Sequence, residues 1–269
     1  MSVLIAVGII GIVSFILAIG LGYASNRFAV KVEPKVKEVE ESLAGLNCGV
    51  CGYPGCRNYA EAIVHKNVDI DKCAPGERET VLKIARIMDI NVENFVPKVA
   101  VVRCQGSNKE TTSRFEYRGV KDCRMANSLG AGFKSCSYGC LGLGSCARAC
   151  PFDAITMNDD GLPVVDEEKC TACGVCVETC PRNIMELIPR NQKFYLACIN
   201  KESGKNVSNI CQVGCIACKQ CVKNNPEDEA GISMDGKLPV VDYDVIKQWD
   251  KANEVCPKSC FAFRKDNII

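Results

Sequence analysis

The 269-residue chain carries 33 basic and 32 acidic side chains, and a formal charge of +1 argues against bulk electrostatic capture of nucleic acid. Twenty-one cysteines stand against one histidine. The odd count, and tight C-x2-C and C-x3-C runs often followed by proline, argue against a disulfide framework, whose partners are spaced to cross-link distant loops; they point to metal thiolates in a reducing compartment. The length predicts two or three small modules after any membrane segment.

In chain order, residues 1–25 read as a single transmembrane anchor. Val3 to Ala24 is 22 residues without a charge, enough to span a hydrocarbon core of ~30 Å as a helix. Met1-Ser2 gives no positively charged leader, so a cleaved signal peptide is not expected. Arg27, Lys31, Lys35 and Lys37 follow and place the remaining chain on the cytoplasmic side. Residues 26–42 read as a charged stalk ending in a short helix, with no chemistry of its own.

Residues 43–96 form the first predicted cluster module, with Cys48, Cys51, Cys56 and Cys73 spaced C-x2-C-x4-C-x16-C. A cubane cluster needs four converging thiolates and small residues that let the backbone wrap closely; Gly49, Gly52 and Gly55 suit that, and Pro54 stiffens the turn. The spacing alone would also admit a four-cysteine zinc site. A helix is expected over residues 57–67, with His65 on its surface.

Residues 97–135 are a basic connector, with eight Lys or Arg against three acids. Residues 136–190 then carry Cys170, Cys173, Cys176 and Cys180-Pro181, the C-x2-C-x2-C-x3-C-P run of two-cluster ferredoxins, in which the fourth cysteine ligates the other cluster. Upstream, Cys140, Cys146 and Cys150-Pro151 repeat this run, but Leu143 takes the middle position, and Cys136 is the expected replacement. The crossed assignment is Cys136, Cys140, Cys146 and Cys180 for one cluster, and Cys150, Cys170, Cys173 and Cys176 for the other. Between the runs, DAITM and LPVVD flank NDDG, a β-hairpin signal.

Residues 191–269 repeat the unit about 75 residues later. Cys215, Cys218, Cys221 and Cys256 keep one ligand set, whereas Asn225, Ile246, Trp249 and Ala252 replace all four ligands of the other. The second unit is therefore expected to hold one cluster, with Ile246 and Trp249 filling the vacated space. The count is four 4Fe–4S clusters. Cys104, Cys123, Cys198, Cys211 and Cys260 remain, as buried small hydrophobes or with a fifth cluster left open. The fold class is α+β: one transmembrane helix, a small helical cluster module, and two tandem bacterial-ferredoxin-like modules, the second degenerate.

The N-terminal helix, NCGVCGYPGC with Cys73, FEYRGVKDC and CSYGCLGLGSCARACPFDAI together resemble the B-subunit family of the Rnf complex, the membrane-bound ferredoxin:NAD oxidoreductase that pumps Na⁺ or H⁺. The extra C-terminal unit is similar to the longer forms found in anaerobes. The resemblance implies an electron-transfer subunit at the cytoplasmic membrane, enzymatic only within the complex. Its partners would be soluble ferredoxin as donor, other membrane subunits, and sister subunits carrying flavin and NAD. The chain itself has no dinucleotide fingerprint and no catalytic acid–base set. Arg114, Arg118 and Lys121 are candidate contacts for an acidic ferredoxin. A donor that keeps an iron–sulfur regulator reduced, without ion pumping, would show the same cysteine pattern.

Overall fold

The computed structural model describes residues 2–28, 33–91, 96–225 and 231–264; the side chains of residues 2–6, 9, 26, 28 and 77 also lie outside the description. Lys31, one of the four basic residues that follow the apolar run, falls outside it.

Helix α1 (Ser2–Phe28) runs for 27 residues, roughly 40 Å at 1.5 Å per residue. Its described apolar side chains, from Val7 and Ile10 to Leu21 and Tyr23, are exposed. Among the described residues no helix is long and apolar enough to cross a membrane.

The segment expected as a stalk is part of a folded module. Helix α2 (Pro34–Ser42) starts on proline, whose fixed φ suits a first helical turn. It buries Val36 and Val39 against Tyr59 and Ile63 of α3 (Cys56–Lys66) and Ile84 of α4 (Glu77–Met88). The hydroxyl of Tyr59 donates to Asp69 O (2.7 Å) and accepts the Lys72 amide (3.0 Å), pinning the loop that carries Cys73. His65 lies on the half-exposed face of α3, 3.8 Å from Glu33.

Two copies of one β plan follow. In the first, β1 (Lys98–Val102) pairs antiparallel with β4 (Met185–Pro189), and β2 (Ile155–Met157) pairs with β3 (Pro163–Val165). The hairpin turn is closed by Asn158, whose Oδ1 accepts the Leu162 amide at 2.8 Å. In the second, β5 (Phe194–Leu196) pairs with β8 (Phe261–Phe263), and β6 (Ile232–Asp235) with β7 (Leu238–Val241). The first ferredoxin-like unit thus starts at Lys98, where β1 finds its partner, and residues 103–135 are an insertion between its first strand and its first cysteine loop. That insertion carries α5 (Cys123–Ser128).

The vacated half of the second unit is packed as expected. Ile246, Trp249 and Ala252 are buried with Phe194 and Phe261, where the first unit buries Cys170 and Cys176. Trp249 meets Phe194 edge-on with ring centroids 6.5 Å apart, and Phe261 at 6.2 Å. The two units are clamped by Arg264, whose Nε donates to Glu167 (2.8 Å) and whose Nη1 donates to the carbonyls of Arg190 (2.6 Å) and Gln192 (2.9 Å).

Candidate metal centres

All 21 cysteines are free thiols. Cys48, Cys51, Cys56 and Cys73 line one cavity of about 330 Å³. Asn47 Oδ1 accepts the Cys56 amide at 2.8 Å, fixing the loop as it enters α3. An added Cβ at Gly55 would press on that same Oδ1 at 3.0 Å, which is why the position is glycine.

Cys150, Cys170, Cys173 and Cys176 form a second group: burial first, and then the nearness of the other sulfurs, raises the thiols of Cys173 and Cys176. Backbone amides reach two of them: Ala154 N–H to Cys150 Sγ at 3.4 Å and Ala100 N–H to Cys170 Sγ at 3.5 Å. Burial pushes the Cys176 thiol up to about 12, so a metal loaded there must displace a proton. A cleft of about 560 Å³ separates this group from the N-terminal module, lined by Cys51 and Cys73 from the module and by Cys170 and Cys173 from this group.

The third cavity, about 380 Å³, differs from the sequence expectation. It is lined by Cys123, Cys140, Cys146 and Cys180, not by Cys136. The physical reason is α5, which stands in the insertion and aims its first residue at the site. Asp122 caps this helix by accepting the Arg124 (2.9 Å) and Met125 (3.0 Å) amides, while Ser145 Oγ donates to Asp122 (3.0 Å) and accepts the Cys123 amide (2.8 Å). Cys123 thereby lines the cavity beside Cys140 and Cys146, where Leu143 offers no thiol. Local spacing hid it: it lies 17 residues before Cys140, and the only sign was a connector cysteine just after a helix-capping aspartate.

Cys136 instead lines a cavity of about 350 Å³ with Cys104, Cys198 and Cys211. The buried guanidinium of Arg182 holds the intervening loop, donating to the carbonyls of Cys136 (2.7 Å), Gly139 (3.1 Å) and Ala131, and to Asn127 Oδ1 (3.0 Å).

In the second unit Cys215, Cys218, Cys221 and Cys256 form the group expected. Cys260 lies against it. Its thiol donates to Val213 O at 3.5 Å; its nearness lowers Cys215 to about 7 and Cys256 to about 6, and it is itself driven far up. Its backbone amide also donates to Cys256 Sγ at 3.3 Å.

These donor sets fit iron–sulfur clusters: soft thiolates in fours, backbone N–H groups aimed at sulfur, and glycines at the walls. Among the described residues no three Cys, His, Asp or Glu side chains gather as a single-ion site; three of the groups of four line cavities.

Two family models match. The Fe-S cluster model covers residues 43–75 and the 4Fe-4S dicluster domain covers residues 137–187. The chain is 42% identical to the B subunit of the Na(+)-translocating ferredoxin:NAD(+) oxidoreductase complex of Acetobacterium woodii, over 97% of this chain and 78% of that protein. It is 37% identical to the B subunit of the proton-translocating ferredoxin:NAD(+) oxidoreductase complex of Clostridium ljungdahlii, over 96% and 90%. It is 34% identical to the B subunit of the ion-translocating oxidoreductase complex of Methanosarcina acetivorans, over 98% and 99%. With near-complete coverage at this identity, and with the iron–sulfur modules matched in the same order, the chain belongs to the B-subunit family of Rnf-type ion-translocating ferredoxin:NAD oxidoreductases.

Proposed function

We propose that this subunit takes electrons from reduced ferredoxin on the cytoplasmic side and relays them toward flavin- and NAD-binding sister subunits, while Na⁺ or H⁺ crosses the membrane through partners. The observation that carries this is that thiols gather in fours at separate places along the chain, three of the groups lining cavities of their own. A bound cluster supplies one-electron capacity at low potential. The chain's own residues hold its iron, direct N–H dipoles at its sulfurs and keep water away.

The ligands on this reading are Cys48, Cys51, Cys56 and Cys73; Cys150, Cys170, Cys173 and Cys176; and Cys215, Cys218, Cys221 and Cys256. The remaining ferredoxin site takes Cys123, Cys140, Cys146 and Cys180, with Cys123 in place of Cys136. Helix α1 is the single-pass anchor. Its length, its charge-free sequence from Val3 to Ala24 and its exposed apolar side chains support that role. One helix cannot enclose an ion path, so translocation belongs to other subunits.

Of the basic residues considered for ferredoxin docking, Arg114 is engaged internally, donating to the carbonyls of Gly130 (2.7 Å), Ala131 (3.2 Å) and Gly132. Arg118 and Lys121 are exposed and remain the docking candidates. Anaerobic copurification from native membranes with cofactor analysis tests the function. Polytopic membrane subunits and a flavoprotein are the expected partners; recovery with a soluble iron–sulfur regulator alone would overturn it.

A further inference from the structure

On the electron-carrier reading, we infer that Cys104, Cys136, Cys198 and Cys211 hold a fifth 4Fe–4S cluster, and that it joins the C-terminal centre to the others. The site lies between the two ferredoxin-like units and takes two thiols from each. Cys104 follows β1 and Cys198 follows β5; Cys136 and Cys211 each stand four residues before the first cysteine of the next run, Cys140 and Cys215. The duplication has thus placed equivalent cysteines on both walls of one cavity of about 350 Å³.

Every sulfur of the set accepts a hydrogen bond from a fixed donor. The Cys140 amide donates to Cys104 (3.3 Å), Asn200 Nδ2 to Cys136 (3.4 Å), the Cys215 amide to Cys198 (3.4 Å) and Thr111 Oγ1 to Cys211 (3.8 Å). Such donors stabilise thiolate ligands. The walls are closely trimmed. A Cβ at Gly106 would lie 2.6 Å from Thr111 Oγ1, the hydroxyl that donates to Cys211, and one at Gly139 would lie 3.3 Å from Cys136 Cβ.

Charge points the same way. Lys134 is wholly buried. Its ammonium donates to Gly106 O at 3.2 Å, and Gly106 is the glycine whose added Cβ would lie against Sγ of Cys211 and Cys104. A buried cation is costly unless an anion balances it, and a four-thiolate cluster carries net negative charge.

The site also completes a path. Cys140 belongs to the neighbouring centre on one side and Cys215 to that on the other, and each donates its amide to a sulfur of this set. Of the 21 cysteines only Cys48 and Cys218 are exposed, and they sit in the first and last groups of the series. Each transfer oxidises one centre by one electron and reduces its neighbour by one, with no bond made or broken.

The test is metal and acid-labile sulfide analysis of the full chain, purified anaerobically in detergent, with alkylation mapping of native and denatured protein. The expected result is about twenty iron atoms per chain, with Cys104, Cys198 and Cys211 protected from alkylation until the clusters are destroyed. A Cys104→Ala/Cys198→Ala double variant should lose about a fifth of the iron. Lys134→Met should keep its iron and lower one midpoint potential. About sixteen iron atoms with those three thiols alkylated in the native protein, or one equivalent of zinc protecting them, overturns the inference while leaving the carrier reading intact. A chain purified without iron would sink both.

Discussion

The amide of Cys215 donates to Sγ of Cys198 across 3.4 Å, so the first thiol of the C-terminal run supports a sulfur that belongs to a different cavity. The same relation holds between Cys140 and Cys104 at 3.3 Å in the first unit. Neighbouring centres are therefore built from shared backbone, and a change in one should be felt in the next.

Cys123→Ala separates the two ligand assignments for the first ferredoxin-like unit. With Cys123 as ligand, iron falls by about four atoms or the affected cluster becomes a three-iron species. Unchanged iron and an unchanged EPR spectrum would restore Cys136 to that site.

Cys260→Ala should retain full iron, because the C-terminal group already has four thiols. It removes the neighbouring thiol that lowers Cys215 and Cys256, so the potential of that centre should fall. A redox titration followed by EPR reads this directly, and loss of iron would make Cys260 a ligand.

Trp249→Ala empties the space between Phe194 and Phe261. Large aromatic truncations in a core cost about 3–5 kcal/mol, and hydrogen exchange should speed up across β5 and β8 while α2–α4 stay protected. Uniform exchange over both regions would mean that the indole supports more than its own unit.

Arg182→Met leaves the carbonyls of Cys136 and Gly139 without their donor, at a cost of roughly 1–3 kcal/mol for each buried group. Lys should not rescue it, since a single ammonium cannot span acceptors held by a planar fork. The measurement is the rate of iron release to a chelator; full rescue by Lys would contradict the geometry.

Asp122 has its carboxyl held below the usual range by the Met125 amide first and the Ser145 hydroxyl next. A depressed folded-state pKa gives stability that is present above the ordinary carboxylate value, roughly 4, and lost as pH falls through the folded value. Asp122→Ala should therefore weaken α5 by about 0.5–2 kcal/mol near neutrality and flatten the acid limb of the stability curve. An unaltered acid limb would show that the cap does not hold α5.

Ligands held by local spacing were legible at once. Cys48-x2-Cys51-x4-Cys56 and Cys170-x2-Cys173-x2-Cys176 bring thiols together through a few residues of loop, and a pattern search sees that. The pairing of α2 with α3 and α4 was not legible, because a charged helix shows its buried Val36 and Val39 only when a partner face is present.

The sequence by itself determined that cysteines stand in groups at cluster-like spacing behind an apolar run, and that Asn225, Ile246, Trp249 and Ala252 stand where the first unit has four cysteines, since aligned repeats expose coordinated replacement. Tertiary structure alone decided which distant cysteines share a cavity. Cys123 reaches its group because an inserted helix is capped and aimed by Asp122, and Cys104, Cys136, Cys198 and Cys211 meet because two duplicated units pack face to face. Neither is a property of spacing: both depend on how separately folded pieces are held against each other.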